Sequence, residues 1–359
     1  MLSKIIKSFL KLFFLFRKFQ FIDAFKKHNK HSKNVVIVYP DKWRKIVQYI
    51  YSDAMVSDLA LITAVIKEKG DYRLQFGLGG VESIRNANVF YNISGRFNIQ
   101  NLRNYNTAIV ELIDKLESKG NQCIPFKRDV LFWENKAFMH QEFDRLDINT
   151  PETIVYNLTE PLPSISIEYP LLIKEVHSKG AEGIYKVNNH EELIRKLSDP
   201  GLQKRNSHVL IQKLLDINKD IRIVCVGDEV IYHHWRMNEV TEEWEPTTYK
   251  KGRRGDFDNF PETWRAKIMS DFQKLDIVTG GFDLTWDQDD MSQPPSVLEV
   301  SSSYFPNPKP PVNIEMPYGD YKHRLIWFDS WEKNYVDQAF RVKQLVTSEF
   351  LRRLESGKA

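Results

Sequence analysis

Lys174 ends an apolar run, Leu171 to Ile173, and Ser178, Lys179, Gly180, Ala181 and Gly183 follow before a second apolar run resumes. The pattern reads as strand, small-residue loop, strand. Glycines leave backbone N–H groups free to approach an anion, and a lysine at the end of the strand supplies a point charge, so the segment suits a polyphosphate. An ordinary hairpin has the same outline. A second pair of chemically suggestive residues is Asp283 and Glu299, each set between large apolar neighbours on runs separated by a polar turn from Gln288 to Pro295. Antiparallel pairing lets these carboxylates face one another, where they repel unless a cation lies between them. Mg²⁺ is held in that manner, with nucleotide phosphates completing its shell. Arg222 alternates with Ile221 and Ile223 and so projects from the opposite face. A guanidinium in a sheet interior needs an anionic partner, either a structural carboxylate or a phosphate. His233 and His234, adjacent on a strand, point to opposite faces and make a poor metal pair.

The elements that must position these residues alternate. Val35 to Tyr39 reads as a buried strand, about 53–69 as a helix, 72–76 and 89–93 as strands, about 106–119 as a helix and 122–126 as a strand, which predicts an open α/β sheet. Gly77-Leu78-Gly79-Gly80 lacks the dinucleotide spacing and reads as a turn. Residues 129–147 read as one helix with Lys136 near its start; alone, that lysine reads as solvated. After the lysine-glycine segment come a helix over 190–197, a strand over 209–215, and a hairpin from Asp220 to Tyr232 turning at Gly227-Asp228. The cation-rich stretch from Lys250 to Arg254 lies in a long polar loop, and residues 329–355 read as a long amphipathic helix.

Composition bounds the class. With 359 residues, 42% hydrophobic and 28% charged, the chain is an ordinary globular sequence with room for two or three packed units. Cys123 and Cys225 lie far apart in apolar segments, so neither a disulfide framework nor a cysteine metal site is supported, and a reducing cytoplasm is expected. Residues 1–33 carry nine Lys or Arg against Asp23 alone, a formal +8 that leaves −5 for the rest of a chain whose total is +3. Basicity therefore belongs to an N-terminal arm, and a nucleic-acid-binding body is not indicated. From residue 2 to about 26 the arm reads as an amphipathic helix with Lys4, Lys7, Lys11 and Lys18 in one narrow stripe and a broad Phe/Leu face. Its longest uncharged run is too short to span a bilayer. Two readings stay open: peripheral contact with the inner face of an anionic membrane, or docking on the protein's own body or a homo-oligomer partner.

Taken in order, Pro170-Leu-Leu-Ile-Lys174, the glycine loop, Gln212-Lys-Leu-Leu, Asp220-Ile-Arg222, Arg236, and Asp283 with Glu299-Val-Ser-Ser-Ser resemble the ATP-grasp fold, and among its members the ATP-dependent carboxylate-amine ligases. The resemblance runs from about Lys136 to Pro306, with residues 34–126 resembling the preceding α/β domain. It implies a mixed α/β (α+β) chain divided as an arm (1–33), the preceding domain (34–126), a linker helix with lid subdomain (127–208), a C-terminal subdomain (209–328) and a final helix (329–359). It also implies ATP and Mg²⁺ as cofactors. Lys136 and Lys174 would contact phosphates under a loop closing from Ser178 to Gly183, including Lys179, Gly180 and Ala181. Gln212, Lys213 and Leu214 would meet adenine through their backbone and Asp220 the ribose. Arg222 and Arg236 would stabilise charge on the transferring phosphoryl group or the acyl phosphate, while Asp283, Glu299 and Ser301 would hold Mg²⁺. Ser301 stands where the family commonly has asparagine, a stronger oxygen ligand.

The implied activity is amide formation through an acyl phosphate, joining an acidic acceptor and an amine donor. The cationic stretch and the arm together suggest amidation of an acidic cell-surface polysaccharide precursor. Peptide or protein modification uses the same chemistry, and a nucleotide-binding scaffold without catalysis is the reading from a different class.

Overall fold

The computed structural model describes residues 2–38, 49–50, 52–93, 105–178, 182–237, 255–304, 306–307, 309 and 321–357. It is a mixed α/β protein with three sheets among the described residues, and its chain divides into two compact units.

The first unit comprises Met1–Asn101, Thr107–Val130 and Ser303–Ala359. Its parallel four-stranded sheet runs β2 (Arg73–Phe76), β1 (Asn34–Val38), β3 (Asn88–Tyr91), β4 (Gln122–Ile124). Val35, Val36, Ile37 and Val38 are all buried, as expected of a central parallel strand covered on both faces. Helix α3 (Asp53–Lys69) follows β1 and ends where Gly70 takes the left-handed conformation at φ 81°. Helices α4 (Tyr105–Glu117) and α5 (Lys127–Leu131) flank β4 in sequence. The last helix, α10 (Tyr321–Glu355), packs on α3.

The basic arm is not one helix but two, α1 (Leu2–Lys18) and α2 (Phe21–Lys27), broken at Phe19 and Gln20. It docks on its own unit. Leu15 is fully buried, and Lys11 is buried in ion pairs with Asp53 and, at 4.0 Å, Glu332. Lys18 reaches Asp337 at 2.8 Å. No helix of the described residues is long and apolar enough to cross a membrane.

The second unit comprises Leu102–Asn106 and Leu131–Ser302 and carries two antiparallel sheets. The first orders β5 (Thr153–Asn157), β8 (His208–Lys213), β6 (Leu171–Glu175), β7 (Ile184–Val187). Leu171, Ile173, Val209 and Ile211 alternate onto one face, where Leu193 and Leu197 of α7 (His190–Leu197) and Leu202 of α8 (Pro200–Arg205) cover them. The second sheet orders β11 (Gly255–Asp256), β10 (Glu229–Met237), β9 (Lys219–Val226), β12 (Thr279–Thr285), β13 (Ser296–Ser301). Its apolar face, with Ile221, Ile223, Cys225, Trp235, Phe282 and Leu284, packs on α6 (Lys136–Arg145) and α9 (Arg265–Lys274) through Met139, Phe143, Ile268 and Phe272. In both sheets period 2 sends the alternate residues, including Lys174, Gln212, Arg222 and Asp283, to the opposite face.

The single helix read over 129–147 is in fact α5 and α6, separated by a turn. Glu134 sits there at φ 45°, and the Asn135 side chain accepts from the Phe138 N–H as the cap of α6. The break makes Lys136 the first helical residue.

Candidate active site

Lys136 and His140 lie one turn apart on α6 and both are buried, with the His140 ring edge-on to that of the core residue Phe143 at 5.3 Å. Lys136 Nζ donates to the Ser178 carbonyl and, at 3.3 Å, to its Oγ, with Glu299 Oε1 3.9 Å away. The backbone N–H of Lys136 donates to Val176 O at 3.2 Å. One lysine thus ties the loop after β6 to α6 and to β13. Lys174 projects from β6 on the face of Leu172, opposite the core residues Leu171 and Ile173. Burial pushes its ammonium down to about 8; Glu299 opposes that shift and Lys136 adds to it. Among the described residues no carboxylate lies within ion-pair distance of Lys174, whose charge is therefore available to an incoming anion.

His140 shares this environment. Burial first, then Lys174 and Lys136, hold its imidazole down to about 3, so it is neutral. The neighbours assign its tautomer. The Thr150 hydroxyl donates to Val297 O at 2.9 Å and so accepts from His140 Nδ1–H at 3.3 Å. The amide of Gln212 donates to Thr153 Oγ1 at 2.7 Å and to His140 Nε2 at 3.4 Å. Gln212 is therefore a buried link between β8 and α6, with its backbone in the ladder between β5 and β6. Lys213 donates its N–H to Glu152 O at 2.9 Å and lies 3.6 Å from Asp287 Oδ2, and Leu214 is the first residue beyond the strand.

The loop is anchored from behind. Glu175, on the core face of β6, accepts from Arg205 Nη2 (2.8 Å), the Tyr185 hydroxyl (3.0 Å) and Asn206 Nδ2 (3.0 Å). Gly183 sits against it at φ 69°, and a Cβ there would lie 2.9 Å from Glu175 Cβ and Cγ. Only glycine meets both the backbone conformation and the close approach. Ser178 donates to Glu175 O at 2.9 Å. Lys179, Gly180, Ala181 and the stretch from Lys250 to Arg254 lie outside the described residues.

On the polar face of the second sheet, cross-strand register lines up Glu299, Asp283, Arg222 and His234 on β13, β12, β9 and β10. Asp220 stands opposite Arg236 two positions along, and Ser301 opposite Gly281. Arg222 Nε and Nη2 donate to the two oxygens of Asp283 at 2.7 Å each. Arg236 is bidentate on Asp220 at 2.7 and 2.6 Å and also reaches Asp283 Oδ2 at 3.0 Å. Asp283 is held well below the usual carboxylate range by Arg222 and Arg236 against the opposing effect of burial, and both arginines are raised by their carboxylates. His234, buried and stacked on Phe257, is held down to about 3 by burial and by Arg236 and Arg222.

No protein-family model matches the chain. Over 146 residues it is 30% identical to the alpha-aminoadipate–LysW ligase LysX of Saccharolobus solfataricus (strain ATCC 35092 / DSM 1617 / JCM 11322 / P2). That match takes in 39% of this chain and about half, 53%, of the relative's length. Among solved structures it superposes on D-cycloserine synthetase DcsG with a TM-score of 0.56 at 12% identity, covering 88% of this chain and all of that one. It superposes on D-alanine–D-alanine ligase from Bacillus anthracis complexed with ATP with a TM-score of 0.53 at 15% identity, covering 86% and 97%. A RimK domain protein ATP-grasp from Sphaerobacter thermophilus DSM 20745 gives 0.51 at 13%, covering 88% and 99%.

The chain has the ATP-grasp fold.

Within this ATP-grasp unit the expected residues fall into two groups. Lys136, Ser178 and Glu299 come together, with Lys174 beside them. Asp220, Arg222, Arg236 and Asp283 form a second, self-paired cluster, so the ribose role expected of Asp220 and the phosphoryl role expected of the arginines compete with ion pairs that cross-strand register already supplies. Mg²⁺ fits the donor set. A carboxylate offers about four acceptor sites, and three on Asp283 are taken by arginine N–H groups, which leaves one on Oδ1; among the described residues Glu299 has its ion pair with Lys136 alone, at 3.9 Å. Among the described residues no three His, Cys, Asp or Glu cluster, so an ion here would take one or two protein carboxylates and complete its shell from phosphates and water. Three contributors escaped the sequence reading: Glu175, His140 and Asn135. Glu175 had a visible signal, since an acid at the core-facing phase of Leu171 and Ile173 demands buried partners.

Proposed function

We propose that the chain is an ATP-dependent ligase that joins a carboxylate to an amine. The observation that carries this reading is the convergence of Lys136, the under-paired Lys174, the Ser178 loop and Glu299 in an ATP-grasp unit. Lys136 and Lys174 bind the phosphates of ATP, and the loop from Ser178 to Gly183 covers them and keeps water out. Glu299, with Asp283 and with Ser301 as a weaker hydroxyl donor, holds Mg²⁺, which when bound neutralises phosphate charge. A substrate carboxylate oxygen attacks the γ-phosphorus and ADP leaves; the amine nitrogen then attacks the acyl carbon, inorganic phosphate leaves, and the amine gives up a proton. No nucleophilic side chain is required, because the residues act by positioning and charge neutralisation. Leu214, just past β8, and Gln212 and Lys213 border the adenine position. Arg222 and Arg236 keep unused N–H donors that can reach an anionic group while their carboxylates hold them in place.

The amino-acid ligases among the relatives favour an amino acid or a peptide as one substrate. The run from Lys250 to Arg254 favours an acidic acceptor, and an acidic polysaccharide precursor is the second reading that this run supports. ADP release with a panel of amino acids, acidic peptides and uronic acids tests the proposal, followed by mass spectrometry of the product. Glu299→Ala is expected to abolish ADP formation, and wild-type turnover in that variant overturns the assignment. A peptide product removes the polysaccharide reading, and a glycan amide removes the peptide one.

A further inference from the structure

The arm turns the usual arrangement of an amphipathic surface helix inside out. Lys11 and Lys18 point back at the body, onto Asp53, Glu332 and Asp337, and Leu15 is buried between them. The aromatic face is left outside. Of the eight exposed large apolar side chains among the described residues, six lie between Phe9 and Phe25: Phe9, Phe13, Phe16, Phe21, Ile22 and Phe25, the last 84% exposed. They are continuous, because Phe9, Phe13 and Phe16 are helical neighbours and the Phe16 and Phe21 rings meet at 5.4 Å across the break between α1 and α2. Isolated exposed apolar residues need no explanation, whereas a contiguous stripe with no packing partner marks a binding surface.

Beside the stripe lies a cleft of about 900 Å³ formed by the arm, α3 and α10, all within the first unit. Arg17, Lys18, Lys27, Lys67 and Arg341 line it against only Asp23 and Asp337, over a floor that includes Phe19, Ile66 and Phe340. Cations at the rim, apolar carbon below and an exposed aromatic stripe alongside are the features that an anionic lipid meets: headgroup phosphate on the cations, acyl chains against the rings. A second copy of the chain fits less well, since a two-fold interface on this face would bring the same five cations of each protomer together.

We propose that residues 9–27 and the adjoining cleft form a docking surface for an anionic membrane, with the phenylalanine stripe entering the headgroup–acyl boundary and the cleft holding lipid phosphate. Lys11 and Lys18, held in ion pairs with the body, act as the clamp that presents the stripe, and Arg17, Lys27, Lys67 and Arg341 are the cations of the cleft that meet lipid phosphate.

The test uses the full-length protein and co-sedimentation with vesicles of phosphatidylcholine alone or with phosphatidylglycerol. Binding is expected only with phosphatidylglycerol, weakening as salt rises. A Phe9→Asp/Ile22→Asp/Phe25→Asp variant, altered only at exposed positions, loses it. Lys27→Gln weakens it about fivefold, the share of one cation at an anionic surface. ADP formation by all variants stays at the wild-type level, which separates failure here from failure of the ligase assignment. The proposal is overturned by absent binding to phosphatidylglycerol vesicles, by undiminished binding of the triple variant, by inorganic phosphate binding without vesicle binding, or by a wild-type dimer that the triple variant dissolves.

Discussion

The second unit holds two sets of cations close to carboxylates, and they are in opposite electrostatic states. Arg222 and Arg236 are charge-paired: each is bidentate on an aspartate, and both are raised. Lys174 is the reverse, pushed down to about 8 by burial with Lys136 adding to the effect. A buried cation raised by its partners is structurally complete. One held down lacks counter-charge, and a polyphosphate supplies it. Register makes the difference, since β9, β10 and β12 put carboxylates directly opposite or diagonal to the arginines, whereas Lys174 faces Leu210 across β6 and β8.

The sharpest way to break this comparison is to remove one cation from each set. Lys174→Ala is expected to lower ATP turnover by about 10²–10³-fold, the scale of losing one charge-stabilising donor, while the unfolding midpoint holds or rises because an under-paired buried charge is gone. Arg222→Ala leaves Asp283 short of a partner and is expected to cost about 3 kcal/mol of stability, the low end for breaking a buried pair because Arg236 still reaches Asp283. Denaturant melts beside ADP-release rates of both variants check this. Equal destabilisation by the two substitutions removes the distinction.

The alternation around Arg222 and the facing of Asp283 and Glu299 were legible, because a period of two and two apolar runs fix which face and which neighbours a residue has. What the arginines pair with was not legible. That depends on the register between strands separated by tens of residues, and a slip of one position would change every partner. Glu175 likewise draws Arg205 and Asn206 from the C-terminal end of α8, beyond β7 and α7. The arm shows a different failure: the lysine stripe was visible, but whether it faces lipid or protein depends on Asp53, Glu332 and Asp337 arriving from distant segments. The helix break at Glu134 left no apolar signal, since Phe132 and Trp133 continue a helical pattern through it.

A smaller effect sharpens the state of Lys174. In the free protein its proton is lost near pH 8, whereas bound phosphates retain it. The affinity for a non-hydrolysable ATP analogue with Mg²⁺ is therefore expected to fall as pH rises above about 8, by at most about tenfold per unit. Lys174→Arg stays charged throughout and flattens the dependence. Titration calorimetry between pH 7 and pH 9.5 reads both (about two and a half units, enough to exceed tenfold). A flat wild-type profile means that Lys174 does not meet the phosphates.

The smallest effect uses the neutral histidine in each set. His140 beside Lys174 and Lys136, and His234 beside Arg236 and Arg222, are both held down to about 3 from an ordinary 6.5, by burial first and by those cations second. The native state then binds fewer protons than the unfolded chain between these values, so stability falls as pH drops from 6.5 toward 3, by at most about 1.4 kcal/mol per unit for each histidine. His140→Gln and His234→Gln should each remove one share of that slope, read from urea midpoints at several acidic pH values. Nucleotide distinguishes them. Phosphates that neutralise Lys174 and Lys136 relieve the cationic pressure on His140, so the difference between wild type and His140→Gln shrinks when the ATP analogue is added. The arginines are already neutralised by Asp220 and Asp283, so the difference for His234→Gln stays put; equal responses at the two histidines would mean that the lysine set is no more open to phosphate than the arginine set.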